Sequence, residues 1–511
     1  MSLTTDSQDI PVRIVGSSVF GIYPTISVER TYNMYITYSG DGQEEWLVNF
    51  PGFKHIQALI LEGAEGRGIY RSVRGGFLLA VVAGEVFRID QVEEIPTQLG
   101  TLSSSTGEVF FDENLSSQIS IISEGQNKIY NYALAPGAIS DAVYVGVPGD
   151  TQFVPNYVTY QNTYLIYGNA LETAFGSQWV IFESGSDNTL PNAYKLNWVQ
   201  TLAIQTKPDF AKAVLRIPGA GNNVIVFGST VAEIWSNVGG QSIYQRNSSL
   251  NIDYGAASVA TIASSEEIVA WLGINENSSP AIMSMQGGGA QRISTDGIDN
   301  LLSTVDFPKF STGFLYRQGG HIFYILSFFH PDDNFTIVYD FTTKRFIDIT
   351  DWDFSVFPAR QIVYFNNHTY FMNFKNGGIC ELSNTITQYE VFSSDGINAI
   401  YDIPRVRLTN TFRFPTRPQK YKVKMFTFTI ETGTTPNILD DSNLPRVDLT
   451  ISKNGGNTFS NVVSYMLKKT GDYKSQPRFN NLGYANQIGY QMRFWCPGRI
   501  VVKNGTMEIG N

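Results

Sequence analysis

The sequence has little charge, few histidines and almost no cysteine. Charged residues make up 16% of its 511 residues, and it contains four histidines and two cysteines. Cys380 and Cys496 are far apart in the chain, which favours two buried free thiols over a disulfide framework. No histidine lies near another histidine or a cysteine at the spacing of a metal site. These four histidines are His55, His321, His330 and His368.

Long apolar runs are also missing. No stretch of about 18 apolar residues occurs, so we predict no membrane span. The first residues show no basic region followed by an apolar core, so we expect no signal peptide and synthesis in the cytoplasm. Asp and Glu (46) outnumber Lys and Arg (36), a formal net charge of −10. This charge argues against a protein that coats DNA, but not against one that DNA slides past.

Aromatic residues and glycines are abundant. Aromatics reach 13%, and there are 46 glycines. Many aromatics, many glycines and few charges indicate an all-β protein with many turns. The length predicts two or more domains.

One stretch, Asn222 to Gly240, shows the pattern that recurs along the chain. Val224 to Phe227 is an apolar run of β-formers, and Gly228 interrupts it. Val231, Ile234 and Trp235 then resume the apolar pattern. The stretch therefore predicts a β-hairpin with a glycine turn.

Seven such units occur at intervals of a few tens of residues. A lone hairpin cannot bury its apolar face, so the units must stack on one another. We predict an all-β fold with a β-propeller of about seven hairpin units, its blade count left open, with a long β-sandwich array as the alternative. The units span residues 68–90, 116–132, 158–184, 222–240, 266–286, 319–349 and 361–382.

One short helix is predicted within the propeller. In residues 293–305, Ser294 or Thr295 offers a cap, and apolar residues follow at helical spacing from Ile298. A second, weaker helix candidate spans Asp209 to Val214.

The predicted domains are an extended arm (1–40), the propeller body (41–402) and a C-terminal antiparallel sandwich-like domain (403–511). The arm is polar and lacks alternation, and it either docks on its own chain or reaches a neighbouring subunit. After Asp402 the strands alternate cleanly between apolar and polar residues, as one-sided antiparallel strands do. The loop from Thr432 to Pro445 is rich in turn residues.

Basic side chains are concentrated at the start of the C-terminal domain. They are interpreted as a solvated strand face, with docking to an acidic partner ring or to DNA phosphate as the alternative. The set comprises Arg405, Arg407, Arg413, Arg417, Lys420, Lys422 and Lys424.

No motif for catalysis, cofactor binding or metal binding is found, so we assign no such residues and predict that the protein is not an enzyme. Gly287 to Gly289 lacks the Lys-Ser/Thr of a phosphate loop and is interpreted as a loop between a strand and the helix. Ser452 to Phe459 is similar to the Asp-box of sialidase propellers, with Asn454 in place of Asp and Phe459 in place of Trp. That box is a turn motif, so we interpret it as structural.

Five segments resemble the packaged-DNA stabilisation, or tail nozzle, proteins of short-tailed bacteriophages. The hairpin VIVFGSTVAEIWSNVGG is similar to the family's FGSSTIEYFS hairpin, and RTYNMYITYSG and NFPGFKHI to its early VNM and SFPGI segments. QRISTDGIDNLL resembles a helix of the family, and SKNGGNTFSN lies where the family has a TTDGINYG turn. The resemblance covers most of residues 30–510, and this chain is longer mainly in the arm and in the 432–445 loop.

The resemblance implies a structural virion protein without cofactors. Such proteins form a homohexameric tail nozzle below the portal and its head-to-tail adaptor ring. They close the channel on packaged DNA, support the tail needle and the fibres or spikes, and conduct DNA on ejection without sequence-specific binding. Two other hypotheses stay open: a propeller that cleaves glycans at its axis, and a tail protein that binds a glycan or host receptor.

Overall fold

The computed structural model describes most of the chain. The described residues are 7–21, 29–59, 63–92, 94–134, 137, 139–147, 153–169, 178–184, 192–219, 221–240, 242–265, 267–287, 289–391, 399–414, 420–432, 445–467 and 474–510. Within these residues the secondary structure is almost entirely β, which confirms the predicted fold class. Most of the 432–445 loop and Arg417 lie outside the described residues.

Five strands precede the propeller hairpins. Four of them belong to sheets of the C-terminal domain, and the fifth completes the propeller. The described part of the predicted arm (residues 1–40) therefore docks on its own chain, which is one of the two alternatives given for it. The strands are β1 Gln8–Val12, β2 Arg30–Tyr32, β3 Met34–Tyr38, β4 Glu45–Asn49 and β5 Gly52–Ala58.

The seven predicted hairpin units lie in seven consecutive sheets, which we number blades 1 to 7. Blades 1 to 4 comprise β6 Gly66–Ser72, β7 Phe77–Val82, β8 Glu85–Ile89, β9 Thr97–Thr101; β10 Val109–Glu113, β11 Gln118–Ser123, β12 Gln126–Asn131, β13 Ser140–Asp141; β14 Val143–Val145, β15 Pro155–Gln161, β16 Tyr164–Asn169, β17 Gln178–Ser184, β18 Lys195–Ala203; and β19 Ala213–Arg216, β20 Asn223–Phe227, β21 Ala232–Asn237, β22 Tyr244–Ile252. Blades 5 to 7 comprise β23 Gly255–Ala256, β24 Ala263–Ser264, β25 Ile268–Ile274, β26 Pro280–Gln286, β27 Gly289–Arg292; β28 Ser311–Gln318, β29 His321–His330, β30 Asp333–Asp340, β31 Arg345–Asp348; and β32 Ala359–Phe365, β33 His368–Asn373, β34 Gly378–Ser383, β35 Gln388–Val391, β36 Ala399–Asp402.

Hydrophobic packing between neighbouring blades closes the ring. Each pair of consecutive blades shares one cluster of buried side chains, and a further cluster joins blade 7 to blade 1. Between blades 3 and 4, for example, the rings of Trp179 and Trp235 meet edge to face with centroids 5.3 Å apart. The N-terminal strand β5 pairs with β34 of blade 7, so the two ends of the propeller are joined by hydrogen bonds within one sheet.

The C-terminal domain is a sandwich of two sheets, as predicted. Its strands are β37 Arg405–Leu408, β38 Phe412–Arg413, β39 Tyr421–Thr432, β40 Arg446–Ser452, β41 Val463–Met466, β42 Lys474–Ser475, β43 Arg478–Ala485, β44 Gln487–Trp495 and β45 Ile500–Gly510. One sheet contains β1, β3, β4, β39, β42, β43 and β45. The other runs from blade 6 through β2 and β37 to β44, β40 and β41. Phe426 of the first sheet stacks on Tyr490 of the second at 4.1 Å.

The predicted helix is present but shorter. The helix α1 spans Asp296–Leu302, and Thr295 caps its first turn by accepting a hydrogen bond from the Ile298 backbone. Ile298 and Leu302 are buried against blades 5 and 6. Single-turn 3-10 helices occur at Asn192–Tyr194, Val259–Thr261 and Pro308–Phe310. The second candidate, Asp209 to Val214, was wrong: it is a loop leading into β19.

Candidate functional site

The propeller axis is the place where propellers commonly carry a site, and here it is nearly filled. A space of about 270 Å³ is lined by residues of the innermost strands, among them Tyr70, Phe111, Tyr157 and Phe314. This volume is below the ~300–1,000 Å³ of typical ligand pockets. Duplex DNA, which is far wider, does not fit in the space that these described residues line.

Side-chain hydrogen bonds tie the blades together around this axis. The amide of Gln361 in blade 7 accepts from the Ile69 backbone in blade 1 at 3.0 Å. It also donates to the carbonyl of Val109 in blade 2 at 2.9 Å. The Asp112 carboxylate in blade 2 accepts from the Tyr160 backbone in blade 3 at 2.6 Å. Such bonds fix neighbouring blades against each other, because breaking one leaves a buried polar group without a partner.

Four charged residues form a cluster at the start of the inner strands, which we call the axial ion cluster: Glu65, Arg67, Glu108 and Arg360. Arg360 Nη1 lies 2.5 Å from Glu65, and its Nε lies 3.0 Å from Glu108. Arg67 is fully buried and donates to the Ala83 and Ser104 carbonyls of its own blade and to Ser123 of blade 2. The cluster thus joins blades 7, 1 and 2.

The Glu108 carboxyl is the most perturbed acid of this cluster. Burial raises its pKa to about 7, although Arg360 acts to lower it. A perturbed carboxyl at a propeller axis is a candidate for acid–base chemistry. Here, however, both Glu65 and Glu108 contact the same arginine, which is typical of a structural ion-pair network.

Asp209 stabilises the turn of the β20–β21 hairpin in blade 4, although it lies outside that hairpin. Its carboxylate accepts hydrogen bonds from the backbones of Ser229 (2.9 Å), Thr230 (2.7 Å) and Val231 (3.2 Å). Gly228 forms the turn, donating to the Val231 carbonyl. The sequence pattern placed Asp209 at the start of a weak helix candidate and gave no signal of its bonds to the turn.

The interpretation of the basic set as a solvated or docking face is wrong for two of its members. Arg405 and Arg407 are fully buried in β37. Arg407 donates to the carbonyls of Ile14 at 2.6 Å and Ser17 at 3.1 Å, and pairs with Glu29. Arg407 thus satisfies backbone carbonyls of the N-terminal segment, and Arg405 donates to the carbonyls of Thr387 and Cys496. In contrast, Arg413 and Lys420 are exposed.

The four histidines considered from the sequence are packed against, or hydrogen-bonded to, neighbouring side chains. His321 is buried with Nδ1 2.9 Å from Asp340, and His368 Nδ1 lies 2.7 Å from Glu381. Burial lowers the pKa of His55. His330 stacks on Phe307. Among the described residues, no three His, Cys, Asp or Glu side chains are placed to hold a metal ion.

Both cysteines are free and buried. The Asp-box-like segment is a turn, in which Ser452 Oγ accepts from the Gly456 backbone at 2.9 Å and Asn454 Oδ1 from the Thr458 backbone at 3.0 Å. Gly287 to Gly289 was misplaced: it connects β26 to β27 rather than a strand to the helix. In the described part of the chain, no helix is long and apolar enough to cross a membrane.

Together these features define a non-covalently closed β-propeller fused to a β-sandwich. The profile of the family described as bacteriophage P22 Gp10, β-propeller, matches residues 31–387. The chain belongs to this family of phage packaged-DNA stabilisation, or tail nozzle, proteins. A search of curated proteins finds no match.

Solved structures share the fold only distantly. The AfRom2 CNH domain is 12% identical, with 65% of this chain and 99% of that chain covered and a TM-score of 0.39. The extracellular domain of a chain described as a hybrid two-component system from B. thetaiotaomicron is 12% identical, with 89% and 59% covered and a TM-score of 0.44. An exo-β-1,3-galactanase from Phanerochaete chrysosporium is 10% identical, with 78% and 95% covered and a TM-score of 0.30. These values carry no argument about function.

Proposed function

We propose that this chain is a structural, non-enzymatic subunit of the phage tail nozzle. Copies of it form a ring, expected to be a homohexamer, that extends the portal and adaptor channel. The ring helps to close the channel on packaged DNA and conducts the DNA on ejection. Its partners are the head-to-tail adaptor ring, the tail needle, and the fibres or spikes.

The observation that carries this proposal, beside the family, is the filled propeller axis. Because about 270 Å³ remains at the axis, a DNA channel has to lie between copies of the chain rather than through one copy. The net charge of −10 suits a wall past which phosphate slides, since like charges limit binding.

The rigidity of the chain suits a mechanical role. The axial ion cluster and Gln361 fix blades 7, 1 and 2 to each other. The sheet that runs from blade 6 into the sandwich joins both domains through backbone hydrogen bonds. The alternative, glycan cleavage at the axis, requires two carboxylates that flank a substrate, whereas Glu65 and Glu108 flank Arg360.

Native mass spectrometry of the purified protein, alone and mixed with its tail adaptor, tests the proposal. We expect a ring of defined copy number in the presence of the adaptor. Both arms are needed because ring formation can depend on the adaptor. A chain that stays monomeric in both arms contradicts the proposal. A parallel screen on sialosides and common glycans should show no turnover, and turnover lost in Glu108→Gln would instead establish an axial enzyme.

A further inference from the structure

A cavity of the described residues lies in a groove between blades 6 and 7, next to the axial space, with which it shares Leu315, Ile362 and Val363. It measures about 840 Å³, within the range of small-molecule sites. Strand β28 supplies one wall, and the hairpin of β32 and β33 with strand β34 supplies the other. We call it the blade 6–7 groove. Neither the ring proposal nor the axial ion cluster uses it.

The groove combines an exposed aromatic ring with apolar side chains. Tyr364 is 55% exposed, although it lies in a strand of the propeller. Leu315, Ile362 and Leu382 also line the groove. A tyrosine held at a groove wall offers a flat apolar face at small entropic cost, because its backbone is fixed by the β32–β33 pairing.

Polar groups line the same space. The imidazole Nδ1 of His368 is held 2.7 Å from Glu381 Oε1, and the Tyr364 hydroxyl donates to Asn367 at 3.3 Å. Ser265 also lines the groove. These side chains offer hydrogen-bond donors and acceptors at the groove wall.

This combination matches one class of ligand. A pyranose ring has a face of C–H groups, which packs on the electron-rich face of an aromatic ring, and an edge of hydroxyls that need donors and acceptors. The groove lining carries one cationic side chain, Arg317, and one carboxylate, Glu381, so the formal charges cancel and no charged sugar is favoured. Glu381 is the only carboxylate among the groove-lining residues, whereas glycoside hydrolysis uses two. The groove therefore suits binding of a neutral sugar without cleavage.

We propose that the blade 6–7 groove is a binding site for a neutral hexopyranose, with Tyr364 as the stacking platform and the His368–Glu381 pair as hydrogen-bonding groups. This goes beyond the nozzle function and does not depend on it. It gives the chain a contact with a polysaccharide surface in addition to its place in a ring.

The test is saturation-transfer NMR on the full chain with galactose, glucose, mannose and N-acetylglucosamine. We expect transfer to at least one of the four sugars. In Tyr364→Ala its affinity should fall by about tenfold or more, and in Tyr364→Phe, which keeps the ring, by less than about threefold. Tyr484→Ala is the matched control, because Tyr484 is 58% exposed but lies in the sandwich. Thermal unfolding confirms that each variant is folded.

Two results overturn the proposal. One is the absence of transfer to all four sugars with the folded wild-type chain. The other is an equal loss of affinity in Tyr364→Ala and in the Tyr484→Ala control. If sugars fail to bind and Tyr364→Ala also prevents assembly with the adaptor, the groove is a protein contact instead. Because ring formation is measured separately by mass, failure here leaves the nozzle proposal standing.

Discussion

The propeller and the sandwich differ in the sequence separation of the strands that pair within them. In the propeller, most pairings join strands that are close in sequence, although β5 pairs with β34 of blade 7 and β2 with β31 of blade 6 from far away in the chain. In the sandwich, residues 8–49 interleave with residues 405–510, and three strand pairings join the two ends of the described chain. The propeller is therefore stabilised by repeated local hairpins. The sandwich depends on a few buried groups that hold distant segments together.

Replacing Arg407 should have the largest effect, because it removes such a group from the sandwich. In Arg407→Ala, Glu29 and two backbone carbonyls lose their buried partner. We expect the free energy of unfolding to fall by about 3–5 kcal/mol. Urea unfolding followed by fluorescence measures this loss. Arg413→Ala is the control, since Arg413 is exposed and should change stability by less than ~0.5 kcal/mol. Equal effects of the two variants would show that the sandwich does not depend on the buried Arg407.

The next largest effect is a pH dependence that originates in the propeller. Burial raises the pKa of Glu108 in the folded chain to about 7, above the value of 4.5 without burial. Between these two pH values the folded state binds more protons, so stability falls as pH rises from about 4.5 to 7. The loss reaches up to about 3 kcal/mol at ~1.4 kcal/mol per pKa unit.

Urea midpoints of the wild type and Glu108→Gln at pH 5, 6 and 7 measure this effect. In the variant, the decrease between pH 5 and 7 should be smaller, because glutamine does not titrate. Parallel pH profiles of the two proteins would show that Glu108 is not the group responsible.

A smaller effect is expected at a single hairpin. Asp209→Asn removes the charge that accepts three backbone hydrogen bonds at the β20–β21 turn. Because the asparagine oxygen still accepts, the cost should be about 1 kcal/mol. Differential scanning calorimetry of this variant and of Asp332→Asn, whose side chain is 73% exposed, compares a supported turn with an exposed carboxylate. No difference between them would mean that the blade 4 hairpin is stable without Asp209.

The same comparison explains what the sequence could predict. Hairpins such as Val224 to Trp235 carry their own signals, because apolar runs and a glycine turn lie within a few residues of each other. The pairing of β5 with β34 has no local signal, because it joins segments far apart in sequence. Local sequence patterns therefore could not predict how the ring closes. They also could not predict which sheets the N-terminal strands join.

The surroundings of individual side chains were even harder to predict from the sequence. Arg405 and Arg407 alternate with apolar residues as solvated side chains do, yet β37 is an interior strand covered by the N-terminal segment. An arginine that bonds to buried carbonyls, a hydroxyl and a carboxylate, as Arg407 does, has the same sequence pattern as an arginine in water. Likewise, the blade 6–7 groove brings Ser265, Tyr364 and Glu381 together from three separate strands or turns.

The pairing of β5 with β34 has a consequence for how the chain is made. About 320 residues separate Ala58 from Gly378, so at ~5–20 residues per second the ribosome needs roughly 15–65 s to synthesise the partner of β5. During that interval, β5 has finished synthesis but has no edge to pair with, and the growing chain exposes an open β edge. The last blade thus sets the earliest moment at which the propeller can close.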